Sequence, residues 1–169
     1  LMHWFIIRKK WYEVWIKALS LLPNNYKMTF MWSALDTTYL NELLDIIKEL
    51  KLQDRVTIIN KFLPEKNYEA VIMESDILLY PYNISTASAA LAEWALKFEK
   101  PFITSNLDSF IDYIWTGAFS FKAWDAIDLS QKILALNTEE SVKLCITLKE
   151  KYSRSNMGRN LVVIFESLY

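Results

Sequence analysis

The sequence predicts an α/β fold in which a parallel sheet carries helices on both faces. Short apolar segments of strand length alternate with longer segments whose apolar residues recur at helical spacing. The strand-like segment Arg55–Asn60 is almost continuously apolar, as is usual for strands that are buried on both faces. This alternation is typical of βαβ units.

The individual elements follow from these two patterns. The predicted strands are His3–Ile7, Lys27–Trp32, Arg55–Asn60, Asp76–Tyr80, Phe102–Ser105 and Ala118–Phe121. The predicted helices are Lys10–Leu22, Thr37–Leu52, Asn67–Met73, Ala89–Phe98, Ile127–Leu136, Glu139–Tyr152 and Asn156–Leu168. Apolar residues at helical spacing define the first two helices: Trp11, Val14, Trp15, Ala18 and Leu19, then Leu40, Leu43, Leu44, Ile47 and Leu50.

Composition excludes several classes of protein. The chain has 169 residues, 53% of them hydrophobic, which is enough for one substantial core, so residues 1–169 are predicted to form a single domain. Lys and Arg total 19 against 20 Asp and Glu, and nucleic acid is therefore not an expected partner. With one cysteine, Cys145, and one histidine, His3, we predict no metal site and a buried structural thiol.

The segment from Ser75 to Ser105 carries the strongest functional signal. The strand Asp76–Tyr80 leads through a turn of small and hydroxyl residues, Asn83–Ser88, into an Ala/Leu-rich helix. Such a turn points backbone N–H groups and the positive end of the helix dipole at the strand's carboxyl end. Ligands of parallel α/β sheets bind at that edge. The sequence therefore predicts a nucleotide or nucleotide-sugar site.

In order and spacing, these segments resemble the carboxyl-terminal, donor-binding domain of a GT-B glycosyltransferase. The resemblance is to glycosyl transferases group 1, which include retaining mannosyl- and glucosyltransferases of polysaccharide biosynthesis. It implies a Rossmann-like sheet that forms one half of a GT-B fold. The segments that carry it are Lys10–Trp11 before Ile16–Leu19, Arg55–Val56, Asp76–Tyr82, Lys100–Thr104 and Asp125–Ile133.

The resemblance implies a hexosyltransferase domain that binds a nucleoside diphosphate sugar as donor substrate and needs no further cofactor. The second half of the cleft would come from an amino-terminal GT-B domain, in the same chain or on a partner chain. The acceptor would be a sugar or a lipid-linked sugar. The expected location is the cytoplasm, with peripheral contact at the inner membrane face as an option. This chain alone is expected to bind the donor without transferring the sugar.

The resemblance also assigns the diphosphate contacts. Lys10 would neutralise the diphosphate leaving group, and the turn Ser85, Thr86, Ala87 and Ser88 would donate its N–H groups. The alternatives remain open here. Lys10 could be a solvated charge, and the hydroxyl residues of the turn could be ordinary helix N-caps.

The nucleoside would be held by two further segments. Glu93 would bond the ribose, and the loop Lys61, Phe62 and Leu63 would hold the nucleobase. Alternatively, Glu93 is a solvent-facing helix charge, and the loop is a turn closed by Pro64. No catalytic residue is assigned.

Two departures from the family pattern weigh against activity. Many relatives carry a second glutamate eight positions before the ribose contact. That place is Ser85 if the ribose contact is Glu93, and Thr86 if the spacing from Lys100–Pro101 puts Trp94 there instead. Relatives also use glycine where this chain has Trp11, Ser33, Asn60 and Glu99. A rival hypothesis is therefore a non-catalytic GT-B-like subunit or regulatory binding module. A third is a nucleotide-binding α/β protein without sugar chemistry.

Overall fold

The computed structural model describes residues 1–3, 6, 8–31, 33–80, 92–108, 110–111 and 119–152. The strands are β1 Met2–His3, β2 Met28–Met31, β3 Val56–Ile59, β4 Leu78–Tyr80, β5 Phe102–Ser105 and β6 Ser120–Phe121. The helices are α1 Tyr12–Leu21, α2 Thr37–Glu49, α3 Glu65–Glu74, α4 Ala92–Phe98, α5 Ala126–Leu134 and α6 Thr138–Lys151.

The strands are parallel and form two groups of three, β1-β2-β3 and β4-β5-β6. The groups meet at β1 and β4, where the Leu79 N–H donates to the Leu1 carbonyl at 2.9 Å. The strands therefore lie in the order 3-2-1-4-5-6, which is that of a doubly wound, Rossmann-like sheet. The predicted fold class is confirmed.

Helices cover both faces of the sheet. Buried side chains of α1, α2 and α5 pack on one face with Phe30, Leu79 and Ile103 of the strands. Those of α3, α4 and α6 pack on the other face with Leu78 and Phe102. Neighbouring residues along one strand point to opposite faces, so the near-continuous apolar pattern of the strands supplies both cores.

Helix ends follow local chemistry. Side chains of Asp36, Asp125 and Asn137 accept hydrogen bonds from the first turns of α2, α5 and α6, as N-cap residues do. The α3 helix begins at Glu65, two residues before the predicted Asn67. Pro64 is its N-cap residue, and the Pro64 carbonyl accepts from the Asn67 and Tyr68 N–H groups.

The other predicted bounds agree with the structure to within three residues wherever the predicted end is described. The predicted ends Ile7, Trp32, Ala89 and Ala118 lie outside the described residues. The α1 helix begins at Tyr12 rather than Lys10, because residues Arg8–Lys10 form a separate 3₁₀ turn. The predicted helix Asn156–Leu168 and the turn Asn83–Ser88 lie outside the described residues. Cys145 is fully buried in α6 and donates to the Lys100 carbonyl, as expected for a structural thiol.

Two helices end in a turn that normally carries glycine. Glu99 has a φ of 52°, and Lys51 has a φ of 55°. After α4, the Lys100 N–H bonds the Ala95 carbonyl and the Glu99 N–H bonds the Leu96 carbonyl, which is the Schellman pattern. Glu99 stands where relatives of the family use glycine, and its backbone has the left-handed conformation that glycine favours.

We expect Glu99→Gly to raise the free energy of unfolding by about 0.5–1 kcal/mol, because a left-handed non-glycine residue costs about 1–2 kcal/mol. Loss of the exposed ion pair with Lys149, 2.7 Å long, offsets less than about 1 kcal/mol of this gain. Glu99→Ala is the matched control, since it loses the ion pair and keeps the unfavourable φ. Urea denaturation measures both variants, and equal stability of the two would contradict the argument.

Candidate functional site

The described strands have one topological switch point, between β1 and β4. From β1 the chain passes through α1 to β2 on one side, and from β4 it passes through α4 to β5 on the other. Such a divergence leaves a crevice outside the carboxyl ends of the two strands, where ligands of this fold class bind. Lys10 follows β1 at this edge.

Lys10 is the best-defined residue of the candidate site. It ends the 3₁₀ turn, and only 5% of its surface is exposed. Burial lowers the pKa of Lys10 to about 7. The interpretation of Lys10 as a solvated surface charge is therefore wrong. The side chain of Lys10 is largely withdrawn from water, and attraction between unlike charges is screened less there than at the surface.

Trp11, directly after Lys10, occupies one of the predicted glycine positions. Its φ of 50° is left-handed, which explains why glycine is favoured there. The Trp11 ring packs edge-on against the ring of Trp124, which follows β6 and is 54% exposed. Trp124 thus lies beside the turn that contains Lys10. The sequence did not indicate this, because Trp11 and Trp124 are far apart in the chain.

The predicted nucleobase loop also lies at the carboxyl edge of the sheet. The loop follows β3. At the end of β3, the Asn60 side-chain oxygen accepts the Ala34 N–H at 2.6 Å, and this bond connects the start of the loop to the segment after β2. The Phe62 side chain is 70% exposed, whereas Leu63 packs against the core. Because β3 is two strands from β1, this loop lies roughly 10 Å along the edge from the end of β1.

The remaining predicted contacts are only partly described. Ser85, Thr86, Ala87 and Ser88 lie outside the described residues, between the end of β4 and the start of α4. Glu93 lies in the first turn of α4, and only its backbone is described. The ribose and turn assignments therefore stay predictions.

Sequence reasoning missed the contacts that hold the Lys10 turn to α2. Arg8 forms an ion pair with Glu42, and the Tyr12 N–H donates to the Tyr39 hydroxyl. The partners are 34 and 27 residues apart in the chain. Such pairings leave no trace in local periodicity or spacing.

Other features of the described residues do not contribute to this edge. A cavity of about 590 Å³ lies at the opposite, amino-terminal edge, lined among others by Lys27, Glu74 and Asp76. The described part of the chain contains no group of three or more His, Cys, Asp or Glu side chains able to hold a metal ion. Among its helices, none has the length and apolar character needed to span a membrane.

Comparison with known proteins places this geometry in context. No protein-family model and no curated protein sequence matches the chain. Solved structures do match. HepE from Anabaena, in complex with UDP-glucose, aligns with a TM-score of 0.80 at 15% identity, over 98% of this chain and 48% of HepE. A glycosyltransferase from Rickettsia africae aligns with a TM-score of 0.76 at 20% identity, over 98% and 46% of the two chains.

A third match is the C-terminal domain of a glycosyl transferase group 1 family protein, LpcC, from Francisella tularensis. It aligns with a TM-score of 0.75 at 13% identity, over 89% of this chain and 83% of that domain. The chain thus spans about half the length of the first two proteins. Its fold is that of a Rossmann-like half of a GT-B glycosyltransferase.

Proposed function

We propose that this chain is the donor-binding half of a glycosyltransferase. It binds a nucleoside diphosphate sugar in the crevice between β1 and β4, with the diphosphate beside Lys10. The nucleobase extends toward Lys61, Phe62 and Leu63, and the turn Ser85–Ser88 and Glu93 complete the site. HepE, which shares the fold, was crystallised with UDP and with UDP-glucose, which supports a nucleotide-sugar ligand.

The observation that carries this proposal is the buried Lys10 at the switch point. A cation withdrawn from water at a ligand-binding edge interacts strongly with an anion, because the low local dielectric screens the attraction poorly. A diphosphate supplies that anion. When the sugar leaves, negative charge grows on the diphosphate, and a fixed cation there would lower the barrier to transfer.

The finer assignments extend the same proposal. The acceptor is a sugar or lipid-linked sugar held mainly by an amino-terminal GT-B domain, in the same chain or on a partner. The reaction is hexosyl transfer of the retaining mannosyl or glucosyl type, in polysaccharide biosynthesis in the cytoplasm, with peripheral contact at the inner membrane face as an option. No cofactor other than the donor substrate is required.

A non-catalytic binding module is the second candidate. It is favoured by Ser85 or Thr86 at the place where many relatives carry the sugar-side carboxylate. Such a module would bind the nucleotide at the same edge and would lack turnover. The two candidates therefore share the donor site and differ in chemistry.

Calorimetric titration of the chain with uridine, guanosine and adenosine diphosphates tests the donor site. We expect weak binding of at least one of them, because half of a cleft supplies half of the contacts. Inorganic phosphate at equal ionic strength is the control for nonspecific attraction to the lysine. Absence of both heat and thermal shift at millimolar concentrations of every nucleotide would refute the donor site.

A further inference from the structure

The turn that carries Lys10 is tethered to α2 through Arg8. The two terminal guanidinium nitrogens of Arg8 donate to the two carboxylate oxygens of Glu42, at 2.7 and 2.8 Å. The guanidinium also lies over the Tyr39 ring, 4.8 Å from its centroid. A two-bond fork fixes orientation as well as distance. Both partners are about half exposed, so the ion pair contributes little to the free energy of unfolding. Its main effect is to fix the orientation of Arg8 relative to α2.

A second tether lies on the other side of Lys10. Tyr39 is 1% exposed, and its hydroxyl accepts the Tyr12 N–H at 3.2 Å while donating to the Glu13 carboxylate. Burial raises the pKa of Tyr39 well above its ordinary value, and the hydrogen bond to Glu13 raises it further. The phenol therefore stays protonated and keeps both bonds across the working pH range.

The hydroxyl of Tyr39 thus fixes the start of α1. The N-cap residue Trp11 makes no side-chain cap bond, and the Tyr12 N–H is one of the donors that a helix leaves unsatisfied at its N-terminus. Tyr39 supplies its acceptor from a different element. The backbone of Tyr39 is itself fixed by Asp36, whose side chain accepts the Tyr39 N–H at 3.0 Å.

We propose that Tyr39 and the Arg8–Glu42 pair are positioning residues for Lys10, which holds the diphosphate in the proposed function on which this inference rests. Arg8 and Tyr12 are each two residues from Lys10 in the chain, and both are fixed to α2. The backbone on both sides of Lys10 is therefore fixed before the ligand arrives. Such preorganisation raises affinity by lowering the ordering cost of binding.

The test is a double-mutant cycle with uridine diphosphate binding as the readout. Tyr39→Phe keeps the ring and removes both hydroxyl bonds, and we expect it to weaken binding about three- to tenfold. Lys10→Ala is expected to weaken binding more. In the Lys10→Ala background, Tyr39→Phe should have no further effect, because the group that it positions is gone. Additive losses would mean a general structural role and would overturn the proposal.

A charge exchange provides a second measurement that does not depend on Tyr39. Arg8→Glu should weaken binding, and Glu42→Arg added to it should restore most of the affinity by reforming the pair. Lys149→Ala, which breaks a similarly exposed ion pair with Glu99 outside the carboxyl edge, is the control and should bind normally. No recovery in the exchanged protein would overturn the tether.

The outcomes separate this inference from the proposed function. A parent protein that binds no nucleoside diphosphate refutes both. A parent that binds, with Lys10→Ala weakened and both tether variants unchanged, leaves the donor site intact and refutes the positioning role alone.

Discussion

Lys10→Ala is expected to weaken uridine diphosphate binding by about 1.5–3 kcal/mol, the range for a hydrogen bond to a charged group. Lys10 is buried at the switch point of the sheet, where its ammonium meets the diphosphate in the proposed site. The melting temperature should not fall, because removing a buried charge relieves its desolvation. Titration calorimetry and thermal unfolding measure the two quantities.

The matched control is Lys17→Ala, which removes an exposed lysine from α1 and changes the net charge equally. It should leave the affinity unchanged. If Lys10→Ala and Lys17→Ala bind equally well, the diphosphate does not lie at Lys10.

The pH dependence of binding should report the same residue. Because burial lowers the pKa of Lys10 to about 7, the free protein loses this positive charge as pH rises through that value. Affinity should therefore fall between about pH 7 and 9. The terminal phosphate ionises near pH 6, so the ligand's own charge is nearly constant over this window. The Lys10→Arg variant keeps its positive charge, so its affinity should not change with pH over this window. If the affinity of the parent is equally independent of pH, Lys10 does not titrate there.

The stability of the free protein should change in the opposite direction. The pKa of Lys10 is near 7 in the folded state and 10.5 in the unfolded chain. Between these values the unfolded state binds more protons, so the contribution of Lys10 to the free energy of unfolding increases with pH. Tighter binding of uridine diphosphate below pH 7, together with a higher free energy of unfolding above pH 7, would identify Lys10 as a buried cation that binds the ligand.

The sequence predicted the elements well because their signals are local. The apolar pattern of Arg55–Asn60 and the helical spacing of Leu43 and Ile47 depend on neighbours in the chain, and the structure has β3 and α2 at these places. The glycine positions expected from the family resemblance were informative as well. Trp11 and Glu99 retain the left-handed backbone that the expected glycines would have, although the side chains differ.

The site was predicted less completely because its geometry depends on distant pairs. Lys10 was assigned from the resemblance to the family, but its burial depends on packing that no local pattern encodes. The contacts of Tyr39 with Tyr12 and Glu13, and the approach of Trp124 to Trp11, bring together residues from different helices and loops. A single sequence gives no signal for such pairs.

Arg55 is expected to contribute more to stability than the exposed arginine Arg8. Its guanidinium donates to the carbonyls of Leu19, Leu22, Pro23 and Tyr26 at 2.9–3.2 Å. These carbonyls lie at the end of α1 and in the loop that follows. The last turn of α1 contains no basic residue, so Arg55 supplies the positive charge that a helix C-terminus favours.

Arg55→Ala should therefore lower the free energy of unfolding by about 3 kcal/mol or more, since several carbonyls lose a charged donor at once. Arg55→Lys should recover only part of this, because one ammonium cannot reproduce the planar fork. Urea denaturation measures the loss. Arg8→Ala, which removes an exposed arginine, is the control and should leave stability nearly unchanged. Similar stabilities for Arg55→Ala and Arg8→Ala would mean that water replaces the guanidinium at these carbonyls.

The Arg55→Ala variant also tests whether the two edges of the sheet have different roles. It precedes β3 at the amino-terminal edge of the sheet, opposite the edge that carries Lys10. Under conditions where Arg55→Ala remains folded, its affinity for uridine diphosphate should equal that of the parent. Lys10→Ala should show the reverse, with lost affinity and retained stability. This reciprocal pattern is expected only if the carboxyl edge binds the ligand and the amino-terminal edge at Arg55 serves the fold.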